Sequence, residues 1–376
     1  FLHDRTSHSH EWRDGAHLLA WPTNSMSQNR SEALAKKFKK SWRALASVAM
    51  LCVGIPLKVE ADDFYRGQTI SFIVSSAAGG SYDLMSRTVA SYLPRYIAGQ
   101  PTIIVKNFPG AGGIAAANQL FGNSPQDGTV IGGLQGNIPF EPMLGVKEAK
   151  FDPREFIWLG TPSTETCVLT VWAEAGVESL EDLRNRSINV ASTGINSNPS
   201  VSARLLGEIL GTKMRPIVGY AGLANALLAI EKREVDGHAC ILWAAIQALR
   251  PQWVTEKKTK FLLQWGAIKE KGLPDTPFAM DLITNPDDRL LLEAASAPLA
   301  LGRPFLLPPR VPADRAKVMQ DAMMKVFGDP DFRADAARLQ LEVNAPRTGA
   351  EVAQLIDRVY SMPSDVIARL KKLSVQ

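Results

Sequence analysis

The chain has 376 residues, of which 42 are basic and 38 acidic, and its formal net charge is +4. Residues 1–61 contain nine of the basic and five of the acidic residues, so residues 62–376 contain 33 of each sign, a balance that indicates neither a nucleic-acid nor a membrane-surface partner. The single histidine of residues 62–376, His238, provides neither a zinc site nor a Ser-His-Asp triad or Cys-His dyad.

The first 61 residues are predicted to be a leader that is removed on export. Four lysines between residues 36 and 40 precede an uncharged apolar run from Ala44 to Leu57, and Val59 and Ala61 place small residues at a site that signal peptidase can read. This order is typical of a secretory signal peptide, and the apolar run is too short to span a membrane. We therefore expect cleavage after Ala61 and a periplasmic protein, with residues 1–25 as upstream translated sequence.

Strand-like and helix-like patterns alternate along the rest of the chain, which favours an α/β architecture with mainly parallel sheets flanked by helices. The strand candidates are 70–74, 102–105, 129–132, 156–159, 168–172, 188–191, 215–218, 239–243 and 261–265. The helical patterns are 83–92, 114–120, 200–210, 223–232 and 244–249, followed by 288–295, 312–327, 330–339, 349–360 and 363–373. The length of this part suits two domains with separate cores.

The first glycine turn joins a strand to a helix. The apolar run Thr69–Val74 is followed by residues 75–82, with Gly79 and Gly80 at the turn, and then by a helical pattern that opens at Asp83. Such a turn directs free backbone N–H groups and the positive end of a helix dipole at one point, which suits an anion. The alternative is a tight turn that binds nothing. For Asp83 we favour a structural or water-holding role, because a bound carboxylate would repel its charge.

A second turn of the same kind follows the strand 188–191 and precedes the helix that begins near Ser200. Residues 192–198 offer short polar side chains and further N–H groups, and Pro199 suits a helix start. If both helix starts lie at the carboxyl ends of their strands, they face each other across a cleft, where ligands of open α/β sheets bind.

A third glycine cluster, residues 110–115, matches the loose dinucleotide pattern GxGxxG/A. The next strand, 129–135, carries no acidic residue at its end to hold a ribose hydroxyl, and Pro109 inserts a turn before the first glycine. We therefore interpret this cluster as a structural turn with close packing rather than a nucleotide site.

Two cysteines lie outside the leader, Cys167 and Cys240, each in an apolar strand-like run. In an oxidising compartment they can form a disulfide. The alternative is two buried free thiols, which we prefer because spacing along the chain does not give their distance in space.

Four motifs occur in a characteristic order: Val74–Arg87 with its Gly-Gly-x-x-Asp turn, Val105-Lys-Asn-Phe-Pro-Gly-Ala-Gly-Gly113, Pro125-Gln-Asp-Gly-Thr129, and Gly219-Tyr-Ala-Gly222 followed by Glu234-Val-Asp236. This ordered set resembles the Bug/TctC family, the periplasmic solute-binding proteins of tripartite tricarboxylate transporters. The resemblance spans the chain from about Asp62 to its C-terminal helices. It implies a two-domain Venus flytrap, with residues 62–163 plus 286–376 in the first domain and 164–285 in the second.

The resemblance also implies a ligand that carries a carboxylate and is held in the interdomain cleft, largely by main-chain N–H groups of the two helix-start loops. The ligand-binding residues expected on this basis are Ser75, Ser76, Ala78, Gly79, Gly80, Ser81, Asp83, Gly136, Asn137, Thr193, Gly194, Asn196, Ser197, Tyr220 and Trp243. Trp243 departs from the family, in which a small or acidic residue is common there. A core aromatic is the default for this tryptophan, and a wall that stacks on a flat ligand is the alternative.

The expected function is capture of a small organic carboxylate for a tripartite tricarboxylate transporter, without chemistry. The expected partners are that ligand and the integral membrane subunits; no catalytic residue, metal, cofactor or nucleic acid is expected, and we expect a monomer. A periplasmic sensor for a membrane signalling protein would suit the same sequence. A secreted α/β enzyme is disfavoured, because the chain lacks a Gly-x-Ser-x-Gly elbow and clustered metal ligands.

Overall fold

The computed structural model of the chain describes residues 64–375. The predicted signal peptide and its cleavage site therefore lie outside the described residues. Within the described part, none of the helices combines the length and the apolar character needed to cross a bilayer.

Eleven strands are formed by the described residues. They are β1 Thr69–Val74, β2 Thr102–Asn107, β3 Val130–Gly133, β4 Ile157–Thr161, β5 Thr166–Trp172, β6 Ile188–Ala191, β7 Met214–Ile217, β8 Gly237–Leu242, β9 Thr259–Gly266, β10 Phe305–Leu307 and β11 Arg347–Thr348. Branched and aromatic side chains dominate most of these segments, as expected for buried strands.

Helices connect most of these strands and make up most of the C-terminal part. They are α1 Ser81–Tyr92, α2 Ile114–Asn118, α3 Leu180–Asn185, α4 Asn198–Leu210, α5 Leu223–Glu231, α6 Trp243–Leu249, α7 Pro251–Thr255, α8 Ala279–Leu282, α9 Pro286–Leu301, α10 Ala313–Gly328, α11 Pro330–Arg338, α12 Gly349–Tyr360 and α13 Ser364–Val375. Local signals explain several starts: Ser179 and Thr348 form capping boxes before α3 and α12, and Asn285 caps α9 ahead of a proline.

The strands form two sheets. The first sheet has the order β11-β4-β10-β3-β1-β2 and the second the order β7-β6-β8-β5-β9. In the first sheet β2, β1 and β3 are parallel, whereas β10 and β11 run antiparallel to their neighbours. In the second sheet β7, β6 and β8 are parallel, whereas β5 runs antiparallel to both β8 and β9.

The α/β architecture with two helix-flanked sheets is confirmed, but the expectation of mainly parallel sheets needs correction, because both sheets are mixed. Parallel neighbours require a crossover that returns the chain to the same edge, usually a helix. Only residues 162–165 separate β4 of the first sheet from β5 of the second, so no helix reverses the chain before β5. The chain returns to the first sheet through α9 and β10. The predicted domain boundaries fall close to these two crossings and stay a prediction.

The strand that precedes the first glycine turn is central and buried. Ile70, Phe72 and Val74 of β1 belong to an apolar cluster that also contains Met85 of α1 and Met323 of α10. Burial of a large apolar side chain contributes about 1.5–3 kcal/mol. This packing fixes the direction in which β1 delivers the turn and the start of α1.

Cys167 and Cys240 are joined in a disulfide, which corrects our preference for free thiols. They lie on the neighbouring antiparallel strands β5 and β8, and their Cα atoms are 4.8 Å apart, within the range that a disulfide spans. The bond lies in the core of the second sheet, since the two residues are 0% and 5% exposed.

Candidate functional site

The first glycine turn leaves the amino end of α1 open. Gly79 has φ +84°, a left-handed conformation that favours glycine, and Gly80 is the residue before the helix. No side chain caps this helix start, and residues 77–81 are exposed. The first N–H groups of α1 are therefore available to an acceptor from outside the turn.

Asp83 holds the turn together from inside. Its carboxylate accepts hydrogen bonds from the Gly79 N–H at 2.8 Å, Arg87 Nε at 3.0 Å and Asn107 Nδ2 at 2.8 Å, and only 2% of the residue is exposed. Asn107 also donates to the Ser76 carbonyl at 3.0 Å. Burial alone would raise the pKa of Asp83, but the hydrogen bonds from Arg87, Gly79 and Asn107 lower it below its usual value. Asp83 is thus saturated by the protein, in agreement with the structural role favoured above.

We expect Asp83→Asn to lower the free energy of unfolding by about 2 kcal/mol at neutral pH, because an amide offers one acceptor where the carboxylate uses two oxygens. A lowered folded-state pKa stabilises the fold above the unfolded value of about 3.9, and this contribution is lost as the pH falls through the folded pKa. Urea unfolding at several pH values should therefore show a difference from wild type that is full above about pH 5 and shrinks in acid. The exposed Asp275→Asn is the matched control, and equal stabilities of the two variants would contradict the assignment.

The second turn is organised around one carbonyl. The hydroxyls of Ser192, Ser197 and Ser200 donate to the Gly194 carbonyl at 3.1, 2.7 and 2.8 Å. Because Ser197 turns its hydroxyl back into the loop, no side chain caps α4. Asn198, the first residue of the helix, is exposed, whereas Pro199 has no N–H group and Ser200 is buried. Asn196, just before the helix, is exposed.

Residues at both helix starts, Tyr82 in α1 and Asn196 and Asn198 at α4, line one cavity between the sheets. We call it the inter-sheet cavity, and its volume is about 560 Å³. Its polar lining comes from α1, from the segment after β3, from the residue just before β5, from α4 and its preceding turn, and from α13. These residues are Tyr82, Gly136, Asn137, Glu141, Glu165, Asn196, Asn198 and Ser374. Its apolar lining is Phe140, Leu144, Val146, Val201, Leu205, Trp265, Ala294, Ala295, Pro298, Leu299 and Leu370. This size and mixture are typical of a site for a small molecule.

Of the predicted ligand-binding residues, Gly136, Asn137 and Asn196 line the inter-sheet cavity. Ser75 is 1% exposed, and its hydroxyl accepts a hydrogen bond from the Gln135 N–H at 3.1 Å, so it braces the ends of β1 and β3. The other predicted residues lie outside the cavity lining. Four are in the first turn (Ser76, Ala78, Gly79 and Gly80), three are in the second turn (Thr193, Gly194 and Ser197), and Tyr220 follows β7.

Ser81 and Trp243 line a smaller neighbouring cavity of about 270 Å³, which shares Glu165 with the inter-sheet cavity. Trp243 is 5% exposed and packs edge-to-face on Phe261 with ring centroids 5.5 Å apart, so most of its surface belongs to the core. The glutamate between the two cavities pairs with Arg303 at 3.2 Å. Burial raises the pKa of Glu165, and the Arg303 charge opposes this rise.

The smaller cavity also contains Glu342, whose pKa is raised to about 7 by burial first and then by the Glu270 charge. The sequence predicted neither the acidic residues of the two cavities, Glu165 and Glu342, nor the contribution of Tyr82. Tyr82 stands beside Asp83 in the first turn of α1 and carries the only aromatic ring of the turn, a signal that could have identified it. The other groups come from distant parts of the chain and left no local signal.

The third glycine cluster packs closely on the first turn. A Cβ on Gly113, which has φ +100°, would lie 3.1 Å from the Ser75 Cβ and 3.0 Å from Gln135 Nε2. Gln135 also donates to the Gly112 carbonyl at 3.3 Å. The cluster is therefore occupied by the protein's own groups, as the structural interpretation expected.

No family model matches this chain, whereas several known proteins and solved structures are similar to it. A protein of Cupriavidus necator, described as a UPF0065 protein in the gbd 5' region, is 23% identical over 309 residues, covering 80% of this chain and 86% of that protein. A TctC solute-binding protein from Polaromonas, solved without ligand, aligns with a TM-score of 0.66 and 20% identity over 82% of this chain and 98% of the other. MatC from Rhodopseudomonas palustris, solved with bound malate, aligns with a TM-score of 0.53 and 20% identity over 82% of this chain and 99% of the other.

The alignments with the two solved proteins cover nearly all of their length, so the likeness extends to both sheets and their helices. The chain therefore has the fold of the TctC- and Bug-type periplasmic solute-binding proteins, and the resemblance inferred from its motifs is confirmed.

Proposed function

We propose that this protein is an extracytoplasmic receptor that captures a small organic carboxylate in the inter-sheet cavity and delivers it to the membrane subunits of a tripartite tricarboxylate-type transporter. The observation that carries the proposal is that residues at two uncapped helix starts line one cavity, Tyr82 in the first turn of α1 and Asn196 and Asn198 at the start of α4. Open N–H groups and the positive ends of two helix dipoles suit a single anionic group.

An anion in the inter-sheet cavity could also be held by a cationic side chain, but none is available in the lining that the structure describes. The described residues that line the inter-sheet cavity include no lysine, arginine or histidine. Recognition therefore falls to main-chain N–H groups and to the amides of Asn137, Asn196 and Asn198. The malate bound by MatC, which shares the fold, supports a carboxylate rather than another anion.

Calorimetric titration of the exported protein with mono-, di- and tricarboxylates tests the proposal, with sulfate and phosphate as inorganic anions of similar charge. We expect at least one carboxylate to bind with a dissociation constant in the micromolar range or below, about −8 kcal/mol, and the inorganic anions to bind much more weakly. Failure of every carboxylate, or equal binding of sulfate, would contradict it. Uptake measurements in cells with and without the cognate membrane subunits test the delivery step.

A further inference from the structure

The charged side chains that line the inter-sheet cavity are all acidic among the described residues. The described lining contains Glu141 and Glu165 and neither lysine, arginine nor histidine. Much of the rest is apolar, and α9 contributes Ala294, Ala295 and Pro298 to this wall. Apolar walls exclude water, so a charge in the cavity is screened little and gains most from a charge of opposite sign.

Glu165 is not available to a charge on the ligand, because the protein already neutralises it. Its carboxylate pairs with Arg303 at 3.2 Å, and both side chains are only 12% exposed. Glu165 lies just before β5 and Arg303 just before β10, so this pair joins the two segments by which the chain crosses between the sheets. A ligand group that competed for Glu165 would have to break a buried ion pair, which is costly.

Glu141 has no such partner. It lies in the segment after β3, is half-buried, and accepts one hydrogen bond from a described residue, Asn137 Nδ2 at 2.7 Å. None of the ion pairs within the described part of the chain includes it. Burial raises the pKa of Glu141, and the hydrogen bond from the neutral Asn137 amide opposes this rise only in part. A cation on the ligand would therefore stabilise this carboxylate.

Resting on the proposed function, we propose that the ligand is a zwitterion, an organic acid that also carries an ammonium group, as an amino acid does. Its carboxylate lies at the uncapped helix starts of α1 and α4, and its ammonium pairs with Glu141. Its carbon chain packs on the apolar wall that α9 provides. Each charge of the ligand then meets the opposite sign on the protein, whereas a second carboxylate would face Glu141 without a cation to replace its hydration.

Matched acids that differ by one group test this proposal. Unbranched monocarboxylates of three to six carbons are each compared by calorimetry with the same acid bearing an ammonium at carbon 2 or at the far end, and with the dicarboxylate of the same length. At least one amino acid should bind roughly tenfold more tightly than its unsubstituted parent, and more tightly than the dicarboxylate. If none of the amino acids gains over its parent, the proposal is wrong.

The same series separates this inference from the proposed function. If dicarboxylates or unsubstituted acids bind most tightly, the receptor function stands and the zwitterion inference is wrong. If no carboxylate of any kind binds, the proposed function is wrong as well.

Glu141→Gln identifies the group responsible. The substitution keeps an acceptor for the Asn137 amide and removes only the charge. It should abolish the gain of the amino acid over its parent, while the parent binds at least as tightly as it does to the wild type. Glu148→Gln, at an exposed position outside the cavity lining, is the matched control and should leave the gain unchanged.

A thermal unfolding midpoint for each variant establishes that it folds. Persistence of the full gain in Glu141→Gln, or an equal loss of the gain in both variants, would overturn the pairing of the ammonium with Glu141.

Discussion

Replacing Asn196 by aspartate is expected to weaken carboxylate binding more than a hundredfold. Asn196 lines the inter-sheet cavity just before the open start of α4. The substitution keeps the shape of the side chain, exchanges an amide donor for a negative charge, and places that charge near the bound carboxylate. Two like charges about 4 Å apart at an effective dielectric constant of about 20 repel each other by about 4 kcal/mol.

The same substitution should leave the protein intact. A negative charge near the amino end of a helix is favourable by about 0.3–1 kcal/mol, so the free energy of unfolding should stay level or rise slightly. Urea unfolding and calorimetric titration on the same preparation measure both effects. Asn123→Asp at an exposed position outside the cavity is the control and should change neither quantity. Undiminished carboxylate affinity in Asn196→Asp would place the ligand away from α4.

The part of the site that could be predicted from the sequence is the part determined by short-range patterns. The apolar run that became β1 and the glycines that precede α1 define the first turn without reference to the rest of the chain. The second turn is similar, because β6 ends at Ala191 and α4 begins at Asn198. At β8 the pattern misplaced one residue: Trp243 was expected to end the strand and instead begins α6. An apolar residue at such a junction fits either periodicity.

Direction of side chains was harder to predict than position. Tyr82 and Asp83 are neighbours in α1, yet only Tyr82 lines the cavity while Asp83 is enclosed by the turn. Successive residues of a helix point about 100° apart, so one step along the chain exchanges a ligand-facing position for a structural one. The partner that fixes this choice, Asn107, lies at the end of β2 and is not a local neighbour.

The cavity walls depended on long-range packing. The sequence predicted helices over 288–295 and 363–373, but neither pattern indicates that Ala294, Pro298 and Leu370 face the same space as residues from α4. Those contacts arise because α9 packs on both β9 and α13, and α13 packs on α4.

The second large effect is expected from Gly136→Ala, at the point where α9 closes over the end of β3. A Cβ on Gly136 would collide with the carbonyl oxygen of Pro298 and lie 2.9 Å from that of Gly302. Both are main-chain atoms, which cannot rotate away as a flexible side chain can. The carboxyl end of α9 must therefore shift. Because Pro298 and Gly136 both line the cavity, this shift changes the shape of the cavity.

We expect Gly136→Ala to lower the free energy of unfolding by about 1–3 kcal/mol, the usual cost of overpacking. Carboxylate affinity should fall by roughly tenfold or more, because preorganisation of the cavity is lost. Gly122→Ala is the matched control, since a Cβ on Gly122 meets no atom within 4 Å and the residue lies outside the cavity. Titration at a temperature well below the unfolding midpoint of both variants separates the loss of affinity from the loss of stability. If Gly136→Ala binds as tightly as Gly122→Ala, the cavity wall formed by α9 does not contact the ligand, and the site must be confined to the two helix starts.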